Sequence, residues 1–263
     1  MIEQILSHLP PDHPWRSSIH WFDTISSTNT HAKAMAAAGA PHGTALIADS
    51  QTAGRGRMGR TFVSPKGTGI YMSVILRPHC PPAQLMHLTC AAAVAACDAV
   101  ENTLSFRPGI KWINDLVYNR KKLAGILTEL VFTGDEICAI VGIGINCCQN
   151  PEDFDPSIRS IATSVAMITG QAPNREQLIA AILEQLVLMD QQLLSNRSKL
   201  MERYRADCIT LGQSVSVLQN EIAEHGTALN VRDDGALLVR FDDGSERAVN
   251  AGEVSVRGMY GYV

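Results

Sequence analysis

Apolar and polar positions change their period along this chain, and each change marks an element. Residues 28–38 are Ala-rich with Lys33 and read as a helix that Gly39 ends. Residues 44–48 read as a strand that leads into a Gly-rich run at 54–59. Residues 70–76, bounded by Gly69 and Pro78, read as a second strand, and 83–100 as a long helix. Strands at 116–118 and 123–130 flank Asn119-Arg120-Lys121-Lys122, a hairpin. A further strand at 137–141 runs into Gly142-Ile143-Gly144-Ile145-Asn146. Hairpins followed by more strands predict an α+β fold on a mixed, mostly antiparallel sheet. Residues 174–207 are helical. Ile179, Ile182, Leu183 and Leu186 fall on one face, and Asn174 and Gln177 stand at capping spacing. After Gly212 the texture becomes short alternating strands: Val215 and Val217 among serines, then 227–231, 236–241 and 246–250. Asp233-Asp234-Gly235 and Asp242-Asp243-Gly244 form turns between them. This predicts two units, a larger α+β domain over 1–209 and a small β-barrel over 210–263.

Bulk properties narrow the function classes. Hydrophobic residues make up 46% and charged residues 18%, with net charge −4 and pI near 6.1. A non-specific nucleic-acid or membrane-surface binder needs a basic face, so neither DNA nor membrane is expected as a partner. Residues 1–14 carry Glu3 and Asp12 and make a poor signal peptide. The most apolar stretch, 91–100, is short and interrupted by Asp98, which suits a buried helix. A cytoplasmic location follows. The seven cysteines form no C-x-x-C pair and read as free thiols packed as small hydrophobes, not as disulfides or a zinc site.

Four segments carry candidate chemistry. In Gln51-Thr52-Ala53-Gly54-Arg55-Gly56-Arg57-Met58-Gly59-Arg60, glycines permit tight backbone approach and arginines offer permanent charge, which suits a loop closing over an anion. No G-K-[ST] follows, so it is not a Walker loop; an exposed flexible basic loop is an equal reading on composition. Lys111-Trp112-Ile113-Asn114-Asp115 and Lys122-Leu123-Ala124-Gly125 bracket the hairpin and offer two lysines for an anion site, with solvated lysines and a turn as the plainer alternative. Gly142-x-Gly144-x-Asn146 ends an apolar strand, where glycine often marks close approach; as a dinucleotide fingerprint it lacks the third glycine. Ser26-Ser27-Thr28-Asn29-Thr30 precedes a helix, and N-capping alone accounts for it.

In this order the segments resemble the biotin–protein ligase family. Its pattern of S-T-N, Q-x-x-G-R-G-R-x-G-R, K-W-x-N-D, K-L-A-G-I-L and G-[IV]-G-[IL]-N is matched by Ser27-Thr28-Asn29, residues 51–60, 111–115, 122–127 and 142–146. The resemblance spans roughly residues 20–260. Ile113 stands where the family often has proline and Phe62 where tryptophan is common, and both keep apolar bulk. The resemblance implies a class II synthetase-like ligase domain with an SH3-like C-terminal barrel. With so few residues before Ile19, it also implies a ligase without a DNA-binding repressor arm.

The implied reaction joins biotin to ATP as biotinyl-5′-AMP, then transfers biotin to a lysine of the biotin carboxyl carrier domain of acetyl-CoA carboxylase or a related carboxylase. Mg²⁺ is implied with ATP, its ligands unspecified, and the protein is expected as a monomer or homodimer. Arg55, Arg57 and Lys122 are the implied catalytic cations. The implied biotin site comprises Ser27, Thr28, Asn29, Gln51, Gly54, Arg55, Gly56, Arg57, Lys122, Gly125, Gly142 and Gly144. The implied ATP site comprises Arg57, Arg60, Lys111, Asn114, Asp115 and Asn146. The alternative is a lipoate–protein ligase, which adenylates another acyl carboxylate.

Overall fold

The computed structural model describes residues 1–134, 136–219, 222–250 and 255–258. Its main sheet has seven strands: β1 (Ile19–Phe22), β2 (Thr44–Ala48), β3 (Gly69–Leu76), β4 (Gly109–Lys111), β5 (Asp115–Tyr118), β6 (Lys121–Thr133) and β7 (Glu136–Asn146). Their order is β1-β2-β3-β7-β6-β5-β4. Only β1 and β2 run parallel, joined through helix α2 (Thr28–Ala37). The remaining pairs are antiparallel, as expected of a mixed sheet.

Period-two alternation divides the sheet into two faces. Ala45 and Ile47 of β2, Met72, Val74 and Leu76 of β3, and Val141, Ile143 and Ile145 of β7 join one large core. That core also contains helices α1 (Ile2–His8), α3 (Leu88–Leu104), α5 (Arg175–Gln192) and α6 (Arg197–Asp207). The opposite parity, Leu46, Ile75, Cys138 and Ile140, packs against Ala32 and Ala36 of α2. Helix α2 covers only part of this second face. Beyond its N-terminus the same parity presents Ser73, Gly142, Gly144 and Asn146.

Several boundaries differ from the pattern reading. Residues 83–85 lie in a 3-10 turn (Pro82–Leu85), so α3 starts at Leu88 and runs on to Leu104. Its apolar surface is buried between the sheet and α5. The helical stretch 174–207 is two helices, and the carbonyl of Leu193 between them accepts from His87 Nε2 at 2.9 Å. Asn174 does cap α5, accepting from Gln177 N. The hairpin turn is Asn119-Arg120 alone, both left-handed at φ 47° and 62°, and Lys121 already belongs to β6. Two short helices, α1 and α4 (Val165–Thr169), were not expected, although Ser164 caps α4 and a left-handed Gly170 ends it.

The C-terminal unit forms a separate antiparallel sheet, β11-β10-β9-β8-β12. Its strands are β8 (Ser214–Gln219), β9 (Ile222–Val231), β10 (Leu237–Phe241), β11 (Glu246–Val249) and β12 (Ser255–Gly258). Strand β9 begins five residues before the expected 227, and β12 was not expected. Residues 220–221, 251–254 and 259–263 of the expected barrel lie outside the described residues. The turn at Asp233–Gly235 docks on the main unit: Trp112 Nε1 donates to the Gly235 carbonyl at 3.0 Å and Arg205 Nη1 to Asp233 Oδ1 at 3.0 Å.

Candidate active site

A cavity of about 580 Å³ opens on the uncovered part of the second face. That is the size of an ordinary small-molecule site. Its floor is glycine where β6 and β7 pair, with Gly125 opposite Gly144. A Cβ on Gly142 would fall 2.0 Å from Asn29 Oδ1, and one on Gly144 would fall 2.7 Å from the Phe62 ring. The glycines therefore admit the protein's own side chains as well as leaving space for a ligand.

One end of the cavity is built at the start of α2. Ser27 caps the helix, accepting from Thr30 N, as N-capping predicts. Both Thr28 N (2.8 Å) and Thr28 Oγ1 (3.1 Å) donate to Gln51 Oε1, and Gln51 Nε2 donates to Ser64 Oγ at 2.8 Å. Ser73 Oγ donates to Asn29 Oδ1 at 2.6 Å and lies 2.8 Å from Thr28 Oγ1. Asn29 in turn donates to the Leu127 carbonyl and to Glu129 Oε2. Ser27, Thr28, Asn29, Gln51 and Ser73 make this end uncharged toward the cavity and rich in aligned donors and acceptors.

The Gly-Arg segment folds as a small hairpin over the cavity. Gly56 N donates to Arg60 O at 2.7 Å, Phe62 N to Gly54 O at 2.9 Å, and Arg55 bridges Thr61. A Cβ on Gly54 would sit 2.2 Å from the Phe62 carbonyl, so glycine is required there for the hairpin to close. Gly54 alone among the expected site residues does not line the cavity. Its part is structural. Met58 and Gly59 turn the tip with φ of 54° and 72°.

The other end is charged. Arg57 Nη1 donates to Asn114 Oδ1 at 3.1 Å. Burial pulls the Arg57 guanidinium below the usual arginine pKa, with Asp115 opposing and Arg60 adding to that fall. Lys122 Nζ donates to Asp115 Oδ1 at 2.7 Å. Lys111 and Arg60 line the same end. Asn146 Nδ2 donates to the Thr163 carbonyl at 3.0 Å and its Oδ1 accepts from Gln149. Asn114 Nδ2 donates to the Ile126 carbonyl.

Three features went unread in the sequence. The segment after β7 walls the far end with Phe154, Ile158 and Ile161, and is pinned by Lys122 N to Ile161 O and Thr163 N to Lys122 O. Gln149, buried beside Asn146, keeps an unpartnered Oε1. Glu129 gathers Lys33, Asn29 and Arg55 around one carboxylate. None of the three lies in a motif, but Glu129 shares strand parity with Gly125, which is a readable signal once the hairpin register is known.

Residues 21–146 match the biotin/lipoate A/B protein ligase family, and residues 210–257 match the biotin protein ligase C-terminal domain. The bifunctional ligase/repressor BirA of Bacillus subtilis is 35% identical over 237 residues, 88% of this chain and 72% of that protein. The chain belongs to the biotin protein ligase family. The biotin–[acetyl-CoA-carboxylase] ligase of Mycobacterium tuberculosis is 35% identical over 87% of this chain and 85% of its own length. Among solved structures, a biotin protein ligase from Aquifex aeolicus in complex with biotin and ATP matches with TM-score 0.78 and 28% identity, over 92% of this chain and 99% of that one. The chain is thus a biotin ligase enzyme, and the fold and family expected from its motifs hold.

Proposed function

We infer that this enzyme activates biotin with ATP and transfers it to a lysine of a biotin carboxyl carrier domain of acetyl-CoA carboxylase or a related carboxylase. In the first step a biotin carboxylate oxygen bonds to the α-phosphorus while the bond to pyrophosphate breaks, giving biotinyl-5′-AMP. In the second, the carrier lysine amine bonds to the acyl carbon, AMP leaves and the amine loses a proton. The observation that carries this reading is the polarity of the cavity, neutral and hydrogen-bonding at the α2 end and cationic at the Arg57–Lys122 end.

The ureido group of biotin, with matched donors and acceptors, suits Ser27, Thr28 and Gln51, while the Gly125–Gly142–Gly144 floor takes the bicycle. Two anions must then meet, which fixed positive charge makes possible. Arg57 and Lys122 would serve the carboxylate and α-phosphate. Lys111, Asn114, Arg60 and Asn146 would serve the nucleotide. No cluster of three or more metal-ligating side chains occurs among the described residues. The Asp115 carboxylate at the charged end of the cavity fits Mg²⁺, which binds through one or two carboxylates plus substrate phosphates. Asp115 would hold it, where the ion would neutralise phosphate charge. A hairpin closed over the adenylate would keep water from a reactive anhydride.

The test is the mass of a carrier domain incubated with this protein, biotin, Mg²⁺ and ATP, alongside biotin-driven exchange of pyrophosphate into ATP. A biotinyl mass shift and exchange with biotin but not lipoate are expected. Exchange driven by lipoate alone would replace this reading with the lipoate one.

A further inference from the structure

Glu129 projects from β6 on the face that carries Gly125, and three side chains converge on it. Lys33 Nζ donates to Oε1 at 2.6 Å and Asn29 Nδ2 to Oε2 at 2.9 Å. Arg55 Nη1 lies 3.3 Å from Oε1 and 3.4 Å from Oε2. The carboxylate is 18% exposed and Arg55 44% exposed. Burial alone would raise the Glu129 pKa, but the bonds from Lys33 and Asn29 overcome this and hold it below the ordinary carboxylate value. Glu129 is therefore an anion at neutral pH, tying α2, β6 and the Gly-Arg hairpin together.

Arg55 sits at the base of that hairpin, bridged to Thr61, and Arg57 stands at its tip. Arg55 Nη1 already faces the Glu129 carboxylate, which Lys33 shares, so its fork is held against the protein rather than left open for a second anion. We propose that Glu129 is a positioning residue: it holds Arg55 as the anchor of the hairpin, so that Arg57 reaches the cavity, and the Arg55 side chain is not a ligand of the substrate carboxylate. This rests on the biotin-activation reading and reassigns one of its three cations.

The opposite arrangement makes the opposite prediction. Were Arg55 the ligand of the biotin carboxylate, Glu129 would compete with substrate, and discharging it would tighten biotin binding. Glu129→Gln keeps the size and one acceptor oxygen, for Asn29 or for Lys33, and removes the charge. The expected result is a rise in the biotin KM of pyrophosphate–ATP exchange of about fivefold, the worth of an ion pair this exposed, and a smaller fall in kcat. Trypsin should cut at the arginines of 55–60 faster in the ligand-free variant than in wild type, with saturating biotin and ATP restoring protection. Arg55→Gln, which leaves the Asn29–Glu129 brace intact, should reproduce the KM change, and the double variant should be no worse than either single one. A lower biotin KM in Glu129→Gln, additive effects in the double variant, or equal trypsin rates would overturn the proposal. If wild-type protein shows no biotin-driven exchange, the functional reading fails; the trypsin comparison still decides whether Glu129 holds the hairpin.

Discussion

Replacing Lys122 by alanine removes one charge from a small, partly enclosed space. Its ammonium lies 2.7 Å from Asp115 Oδ1, with side-chain exposures of 30% and 16%. Two unit charges about 4 Å apart attract by about 4 kcal/mol at an effective dielectric near 20. Solvent reaching the lysine halves that for a bound carboxylate, leaving about 2 kcal/mol, or roughly 30-fold in affinity. Asp115 loses its bond from this lysine, so more of its charge opposes the incoming anion and adds to the loss. The fold loses far less, because a pair this accessible contributes under about 1 kcal/mol, a shift of about 2–4 °C in Tm. Calorimetric titration of biotin into wild type and Lys122→Ala should therefore show a loss of roughly 30-fold or more with a nearly unchanged melting curve. Asp115→Asn separates attraction from repulsion: it releases the ammonium from its carboxylate, so biotin affinity should equal or exceed wild type. Wild-type biotin affinity in Lys122→Ala, with the melting curve intact, would refute a carboxylate-binding role for this lysine.

Other consequences of the geometry are open to measurement. Gly142→Ala drives a Cβ onto Asn29, which Ser73, Leu127 and Glu129 hold in place, so stability should fall by about 2 kcal/mol in thermal or urea melts. Gly144→Ala meets the Phe62 ring first, which can swing aside, so the melt should stay near wild type while the biotin KM rises; the reverse order of the two melts would contradict this. Burial lowers the pKa of His13 and His87 below 6.5, so each is held neutral in the fold while the unfolded chain takes up protons first. Stability should fall as pH drops through 6.5 toward the folded values, and His87→Gln should flatten a plot of Tm against pH. Trp112→Phe strands the Gly235 carbonyl, at a cost of about 1–3 kcal/mol; a raised ATP KM with an unmoved biotin KM would tie the docking of the C-terminal sheet to the nucleotide end.

Elements were legible where local chemistry punctuates them. Strand β3 lies between glycine and proline, and α5 starts on an asparagine that caps it. The reading slipped where a tertiary partner decides. No glycine or proline interrupts residues 83–88, where Ala83, Gln84, Leu85 and Met86 are good helix formers, which hid the turn that follows Pro81. No glycine or proline separates α5 from α6; the Leu193 carbonyl instead serves a histidine 106 residues away. Arg120 at φ 62° hid half of the hairpin turn, because a left-handed arginine has no local signal. Strand β12 exists through its pairing with β8, and its own residues alternate too briefly to announce it.

The site divides along the same line. Site residues were readable because each segment carries its chemistry in a few consecutive positions, and all the expected ones but Gly54 line one cavity. Their partners were not readable from neighbours in sequence: Glu129 meets Arg55 across 74 residues and Asn29 across 100. Strand parity is the missing step. With Gly125 paired to Gly144, every second residue of β6 faces α2, and that count places Glu129 beside Asn29 and beneath the hairpin. A carboxylate at that position changes what the arginines mean. A run of arginines in sequence suggests several equivalent anion ligands, whereas in the fold one of them is already answered by an acid and another donates to an amide at the charged end of the cavity.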